Sequence, residues 1–508
     1  MSLVTRSLKN VTSSWAGLAL NIAVGFFLSP FILHHLGDDA FGLWVLIFSL
    51  TGYYGIFDFG IRSSLIRYVS KFQATGDKEQ LARLINTSLF TYSCLGAILL
   101  VPTAVGTFYV DRLFRIPPAF LHDARILFLI VGTSLALGFP LGISGGILEG
   151  LQRFYLLNWT NMVSLLVRAT LIVLALRHGY GLLTIALLTV ALPLITSAVR
   201  AGMAQRILAI PYGWKYVDRA SLRQVANYGS VTFMIIVAAR LRFKTDAVII
   251  GSLLSAAAIT HFSIGARLVD YAGEVVSSLA QIFTPMSSQF HATGDYDGLR
   301  QIFIAGNRAC AFVMFPICVT LIVMGKSVIE SWMGPRYVSS YIVLLILLIP
   351  ATLYNAQTTS NRILFGISQH RPLAIVVLIE GVANVILSVA LVRPLGIVGD
   401  AIGTAIPLAC TALFFLPRHM CRRLEVPLGK FVVEAYFYPA AFSVPMAFAL
   451  ALVQRSFYAH RYPQLMLNLL VGWIVYGIGA AWFILTREPA GVQLKGRVMR
   501  YFAQTDEG

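Results

Sequence analysis

Three cations and one acid fall within seven residues, Arg240, Arg242, Lys244 and Asp246, in a stretch that is otherwise largely apolar. At about 100° per residue on a helix, Arg240 and Lys244 share one face, and Arg242 and Asp246 share nearly the opposite one. Arg242 and Asp246 are spaced for an i,i+4 ion pair. Arg240 and Lys244 have no local partner. The chemistry such a cluster offers is recognition of an anion, above all a phosphate, because Arg presents a fork of donors and Lys a point charge. Similar groups recur in other apolar stretches. Arg267, Asp270 and Glu274 follow i, i+3, i+7 spacing; Asn158, Asn161 and Arg168 form a polar row; Glu380 and Asn384 are four apart. Two readings compete for each. Either these groups pair across helices and fix packing, or they line a water-filled cavity whose cationic surface receives an anionic ligand. For the cluster at 240–246, pairing would need acids from outside, which Asp270 and Glu274 can supply. Polar uncharged residues at similar depth (Asn21, Tyr53, Tyr54, Tyr354, Asn355, Gln357, Thr358 and Asn361) suit sugar hydroxyls, and serve equally as interhelical hydrogen-bond partners.

The elements that must carry these groups are membrane helices. The chain has 508 residues, of which 57% are hydrophobic and only 12% charged, and its mean hydropathy is +0.77. Soluble domains carry roughly 25% charged residues. With 39 Lys and Arg against 22 Asp and Glu the chain is strongly basic. Those cations lie between long apolar runs rather than on a soluble face, which argues for membrane topology and against nucleic acid.

About fourteen spans of roughly 20 residues are expected, centred near Val24, Ser49, Leu95, Leu135, Val167, Leu188, Val237, Glu274, Met314, Ile349, Ile386, Thr404, Ser443 and Val475. Charged residues interrupt the two near Val237 and Glu274. The first run, about Trp15–Leu33, has no small-residue cleavage site after a short apolar core and is expected to stay as the first helix. With the N-terminus in the cytoplasm, 25 of the 39 Lys and Arg fall in cytoplasmic segments and 9 in outer loops. The positive-inside bias therefore places both termini in the cytoplasm.

An internal repeat organises the spans. Ser70-Lys71-Phe72-Gln73-Ala74-Thr75-Gly76-Asp77 recurs 218 positions later as Ser288-Gln289-Phe290-His291-Ala292-Thr293-Gly294-Asp295, with Leu81 and Leu299 keeping the register. Gly150-Leu151-Gln152-Arg153 is echoed by Gly366-Ile367-Ser368-Gln369, and Arg177 by Arg393, both at an offset of 216. Six spans separate the copies, so both lie on one side and the halves are parallel repeats. The expected architecture is an all-α integral membrane protein. Residues 1–205 and 229–420 form two six-helix lobes, 206–228 a cytoplasmic linker, and 421–508 two additional helices with a cytoplasmic tail. The linker's Pro211-Tyr212-Gly213-Trp214-Lys215-Tyr216 has aromatics suited to headgroup depth.

Several signals lead elsewhere. His34-His35 with Asp38-Asp39 read as turn chemistry in a short loop, so no metal is expected. Gly142-Ile143-Ser144-Gly145-Gly146 and Gly396-Ile397-Val398-Gly399 lie in or at apolar spans and read as close-packing or bending points, not phosphate loops. The five cysteines have neither metal-ligand spacing nor an even count and read as small hydrophobes. No nucleotide-binding motif and no soluble domain of catalytic size is present. No cofactor is expected, and any transport is passive or driven by an ion gradient.

Leu36-Gly37, Phe41-Gly42-Leu43-Trp44, Asp58-Phe59-Gly60-Ile61 and Arg67-Tyr68-Val69-Ser70, in that order, resemble the N-terminal signature of the polysaccharide-transporter (oligosaccharide flippase) family. That family belongs to the multidrug/oligosaccharidyl-lipid/polysaccharide exporter superfamily. Lys244-Thr245-Asp246, Ile249-Ile250-Gly251 and Phe262-Ser263-Ile264-Gly265-Ala266-Arg267-Leu268 resemble the opening of the family's second lobe. The resemblance covers about residues 10–420. It implies a flippase of the bacterial inner membrane, not an enzyme. Such a protein moves a glycan on an undecaprenyl pyrophosphate carrier from the cytoplasmic to the periplasmic leaflet by alternating access. Its partners would be the lipid-linked glycan, membrane lipid, H+ or Na+ as coupling ion, and other glycan-assembly membrane proteins. By region and chemistry, Arg240, Lys244, Arg267 and Arg168 suit the pyrophosphate. Asp246, Asp270, Glu274 and Glu380 suit ion coupling or pairing, and Asn21, Tyr53, Tyr354 and Asn355 suit sugar contacts.

Two other functions are weighed against this. An exporter of organic cations, from the multidrug branch, calls for an acidic cavity, and the cluster at 240–246 is cationic. A membrane glycan polymerase or ligase calls for a large outer loop, and the longest here, near 107–124 and 325–340, are short. Arg240→Ala or Lys244→Ala is expected to abolish transport with normal membrane insertion. Wild-type transport by both variants would remove the two cations from the site.

Overall fold

Hydrocarbon offers a peptide backbone no hydrogen-bond partner, so apolar runs of this length must satisfy their own N–H and C=O groups, and helices do so. The computed structural model describes residues 3–225, 245–369, 371–459 and 462–487, with side chains of the first helix from Thr12 onward, and it is helical almost throughout. Among the described residues eleven helices are long and apolar enough to cross a membrane, and counting one further pair, bent by 43°, as a single span gives twelve. The chain is a multi-pass membrane protein. The expected span near Val237 lies outside the described residues, and Arg240, Arg242 and Lys244 with it. The span expected near Glu274 is a helix, but Arg267, Asp270 and Glu274 make it too polar to count among the eleven.

The chain divides into two compact units, Ser7–Thr260 and His261–Gly508 with Met1–Arg6. The first contains α1 (Leu3–Leu36), α2 (Asp38–Gly52), α3 (Ile61–Thr75), α4 (Lys78–Leu113), α5 (Leu121–Gly150), α6 (Phe154–Arg177), α7 (Leu182–Leu208) and α8 (Asp246–Leu253). The division falls inside α9 (Ala256–Ala280). The second unit continues with α10 (Phe283–Ala292), α11 (Tyr296–Met333), α12 (Ser340–Asn355), α13 (Thr358–Gly366), α14 (Arg371–Leu395) and α15 (Ile397–Cys410). A π-turn at Thr411–Phe415 leads into α16 (Leu416–Leu424), and α17 (Leu428–Ser456) and α18 (Tyr462–Arg487) follow. These last two helices pack on α11; Phe303 of α11 stacks on Phe431 of α17 at 4.4 Å.

The echoed sequences fold alike. Gly76 ends α3 in the left-handed region at φ 71°, and Gly294 follows α10 at φ 70°. Asp77 then caps α4 by accepting from Gln80 N–H, and Asp295 caps α11 by accepting from Gly298 N–H. A helix of 36 residues follows the first and one of 38 the second. The other echo matches as well. Gln152 and Ser368 both take positive φ, 54° and 56°. A Cβ on Gly150 would lie 2.9 Å from Ile66 O and 2.8 Å from Val69 Cβ, and one on Gly366 would lie 2.6 Å from Thr284 O and 2.8 Å from Ser287 Cβ. Those neighbours stand at the same register in the two copies, so each unit has the same glycine contact between a helix C-terminus and the short helix before the corner. Overpacking a tight contact costs about 1–3 kcal/mol. Gly366→Ala is therefore expected to lower the melting temperature of the detergent-solubilised protein, and an unchanged melting temperature would contradict the close approach.

Candidate functional site

The second span is broken where its polar residues lie. α2 passes into a 3-10 turn at Tyr53–Asp58, then Phe59 and Gly60 take left-handed conformations at φ 47° and 73° before α3 begins. A non-glycine residue in that region costs roughly 1–2 kcal/mol, so Phe59 is strained. The break turns Asp58 and Arg62 toward the inside of the first unit. Tyr92 of α4 donates its hydroxyl hydrogen bond to Asp58, and Arg62 pairs with Glu149 near the end of α5. The glycines of α5 make room for the Arg62 side chain: a Cβ on Gly145 would lie 3.6 Å from its guanidinium and one on Gly146 3.7 Å from its Cγ. The Gly142–Gly146 run is thus a close-packing face, as its place in an apolar span suggests.

A cavity of about 740 Å³ opens beside this break, with Tyr54, Asp58, Arg62, Tyr92, Arg168 and Ser197 among its lining residues. Ligand pockets typically span about 300–1,000 Å³. Arg168 reaches it from α6, half-buried, and among the described residues nothing forms a hydrogen bond, ion pair or ring contact with its guanidinium. Arg200 on α7, by contrast, is engaged by the protein. It donates to Thr160 Oγ1 at 2.7 Å, Asn161 Oδ1 at 2.6 Å and Leu157 O at 3.2 Å. Asn158 donates to Ser13 and Ser14 of α1 at 2.9 and 3.0 Å. Of the polar row Asn158, Asn161 and Arg168, two members therefore fix helices and one lines the cavity.

The other candidates of the first unit are elsewhere. Tyr53 shares a hydrogen bond with Thr245 at 2.8 Å, next to Asp246 at the start of α8, and Asn21 is exposed on α1. His34 and His35 bond to the carbonyls of Pro30 and Phe31 at 2.6 and 2.7 Å, in the last turn of α1.

In the second unit Arg267 is matched along its own helix. Its guanidinium lies 3.5 Å from Glu274, 3.9 Å from Asp270 and 4.3 Å over the Tyr271 ring. Tyr354 accepts from Asn361 at 3.2 Å, and Asn355 lies against Gly273. Glu380 and Asn384 are buried on α14, where Asn384 Oδ1 accepts from Ser388 at 2.9 Å and from Thr404 of α15 at 3.2 Å. Asp400, also fully buried, follows at the start of α15.

Arg62 and Glu149 were not among the residues the spacing singled out. Arg62 counts as a loop cation in the topology, yet it lines the cavity. The signal was its place four residues after Asp58 across a glycine, with an acid closing the glycine-rich α5.

The model of the polysaccharide biosynthesis protein family matches residues 35–342. The chain is 22% identical over 426 residues to the uncharacterized membrane protein EpsK of Bacillus subtilis (strain 168), covering 81% of this chain and 83% of that one. It is 22% identical over 438 residues to a Shigella flexneri protein named "Putative O-antigen transporter", covering 84% of this chain and 100% of the other. Among solved structures it is similar to the lipid II flippase MurJ in an inward closed conformation, with a TM-score of 0.72 and 17% identity over 95% of this chain and 99% of that one. At that identity the likeness speaks to the fold.

The two cavity cations should respond oppositely to removal. Arg62→Leu leaves Glu149 without its partner and, the pair being partly exposed, is expected to cost up to about 1 kcal/mol. Arg168→Leu removes a charge no described group matches and is expected to leave stability unchanged or raised. Thermal melts of the two variants in detergent check this, and a larger loss for Arg168→Leu than for Arg62→Leu would contradict the assignment.

Proposed function

The chain belongs to the polysaccharide biosynthesis protein family, and from that premise we propose that it is a flippase for a glycan carried on undecaprenyl pyrophosphate. It moves this substrate from the cytoplasmic to the periplasmic leaflet of a bacterial inner membrane by alternating access. The observation that carries the reading is Arg168, a guanidinium without a partner among the described residues, on a cavity of about 740 Å³ within the membrane helices. A charge at mid-membrane costs about 2.5–3.5 kcal/mol on insertion scales. An anionic ligand that fills its fork of donors offsets that cost. Arg62 adds a second fork on the same cavity once its ion pair with Glu149 is exchanged for the ligand. Arg240, Lys244 and Arg267 are further cations for the pyrophosphate. Asp246, Asp270, Glu274 and Glu380 are the acids for H+ or Na+ coupling, and Asn21, Tyr53, Tyr354 and Asn355 are contacts for sugar.

The Shigella relative and the solved neighbour are named as a transporter and a flippase, and neither name is that of an enzyme. An organic cation would meet two guanidinium groups and one carboxylate on the cavity wall, an unfavourable juxtaposition of like charge. The proposed architecture has fourteen spans, two parallel six-helix repeats at 1–205 and 229–420, and both termini in the cytoplasm.

The test is movement of a fluorescent undecaprenyl-pyrophosphate oligosaccharide between leaflets of proteoliposomes, with and without an imposed proton or sodium gradient. Protein-dependent movement is expected. Vesicles that leave the glycan lipid in place while expelling organic cations would overturn the reading in favour of the multidrug branch.

A further inference from the structure

A second cavity lies at the linker end of the first unit, apart from the one assigned to transport. Its volume is about 370 Å³ and its wall is almost wholly apolar. Leu89 of α4, Leu141 and Ile147 of α5 and Gly202 of α7 form it, and Tyr212 of the segment after α7 lines it from the linker. A Cβ built on Gly202 meets no atom within 4 Å. The groove is therefore open space along α7, wide enough for a hydrocarbon chain.

Polar groups gather at the linker end. Gln205, one turn beyond Gly202, lines the groove, and among the described residues its buried Oε1 has no hydrogen-bond partner while its Nε2 donates to Ile210 O at 2.8 Å. Arg206 lies four residues beyond Gly202, on the same helix face, and is exposed. Lys215, Arg219 and Arg223 follow, all exposed. The one acid among them, Asp218, is occupied by Ser221, which donates from its backbone N–H at 2.9 Å and its hydroxyl at 2.7 Å. Burial raises the Asp218 carboxyl, but those donors outweigh it and hold the group below the usual carboxylate range. The segment is also fixed in place. Asn86 donates to Pro211 O at 3.0 Å and accepts from Gly213 N–H at 2.9 Å, and Trp214, 79% exposed, meets Phe90 edge-on at 5.3 Å. An exposed tryptophan at the end of a span belongs at headgroup depth.

We propose that this groove is a binding site for an anionic glycerophospholipid of the phosphatidylglycerol type. One acyl chain lies along Gly202, the phosphate meets Arg206 and Lys215, and a headgroup hydroxyl donates to Gln205 Oε1. An apolar slot, exposed cations just beyond its lining residues Gln205 and Tyr212, and a buried acceptor unfilled among the described residues match the chain, charge and donor of that lipid. By the positive-inside bias the site faces the cytoplasmic leaflet, where anionic lipid attracts such basic segments. The proposal stands independently of what the protein transports.

Native mass spectrometry of the full chain in detergent, titrated with phosphatidylglycerol or phosphatidylcholine of the same acyl chains, tests it. Wild type is expected to retain phosphatidylglycerol in preference. Gly202→Leu, which fills open space, and the double variant Arg206→Ala with Lys215→Ala, at exposed positions, are each expected to lose that preference. The two variants fail independently, so misfolding of one leaves the other decisive. Equal retention of both lipids by wild type, or a preference that survives in both variants, would overturn the proposal. So would displacement of phosphatidylglycerol by undecaprenyl phosphate from wild type, which would give the groove to the carrier's chain.

Discussion

A guanidinium set among packed helices needs a partner, and that requirement shapes both units. Arg62 takes Glu149, and this pair needs the break after Asp58 and the glycine face of α5 to form. Arg200 takes Thr160 and Asn161, tying α7 to α6. Arg267 takes Glu274, Asp270 and the Tyr271 ring from its own helix, and Arg362 takes Ser277 at 2.8 Å. Most of these cations hold helices together. Arg168 holds nothing among the described residues, and in the proposed reading it is this, rather than charge as such, that makes the cavity a place for an anion.

The scaffold around this is built from small, repeated devices. In each unit a short helix ends on a left-handed glycine, an aspartate caps the long helix that follows, and a glycine from another helix lets backbones approach to within contact of the short one. None of these residues contributes chemistry. They fix the corners of each unit, and surrounding packing of this kind is what holds a strained turn such as Phe59–Gly60 in place.

The helices were legible because the apolar runs are long and few alternatives exist in hydrocarbon. The corner motifs were legible because glycine and aspartate at a helix junction have one economical conformation. Arg168 was legible as a polar residue in an apolar run. The roles of Arg62 and Glu149 were not, since sequence spacing reports neighbours on one helix, whereas this pair joins residues 87 positions apart. The same limit explains the scatter of the other polar residues. Tyr53 was read for sugar and bonds Thr245, and Tyr354 was read for sugar and bonds Asn361. These bonds are the packing role that such residues also serve. The cluster at Arg240–Lys244, the loudest chemical signal in the sequence, lies outside the described residues.

The most direct measurement is equilibrium binding of an undecaprenyl-pyrophosphate glycan to the purified full chain, compared among wild type, Arg168→Ala and Arg168→Lys across a range of salt. Loss of a charge-assisted bidentate contact corresponds to roughly a tenfold or greater drop in affinity. The account predicts such a drop for Arg168→Ala, partial recovery for Arg168→Lys, and a shallower salt dependence in the alanine variant. Equal affinity in all three proteins would contradict it and leave Arg168 without a role in recognition.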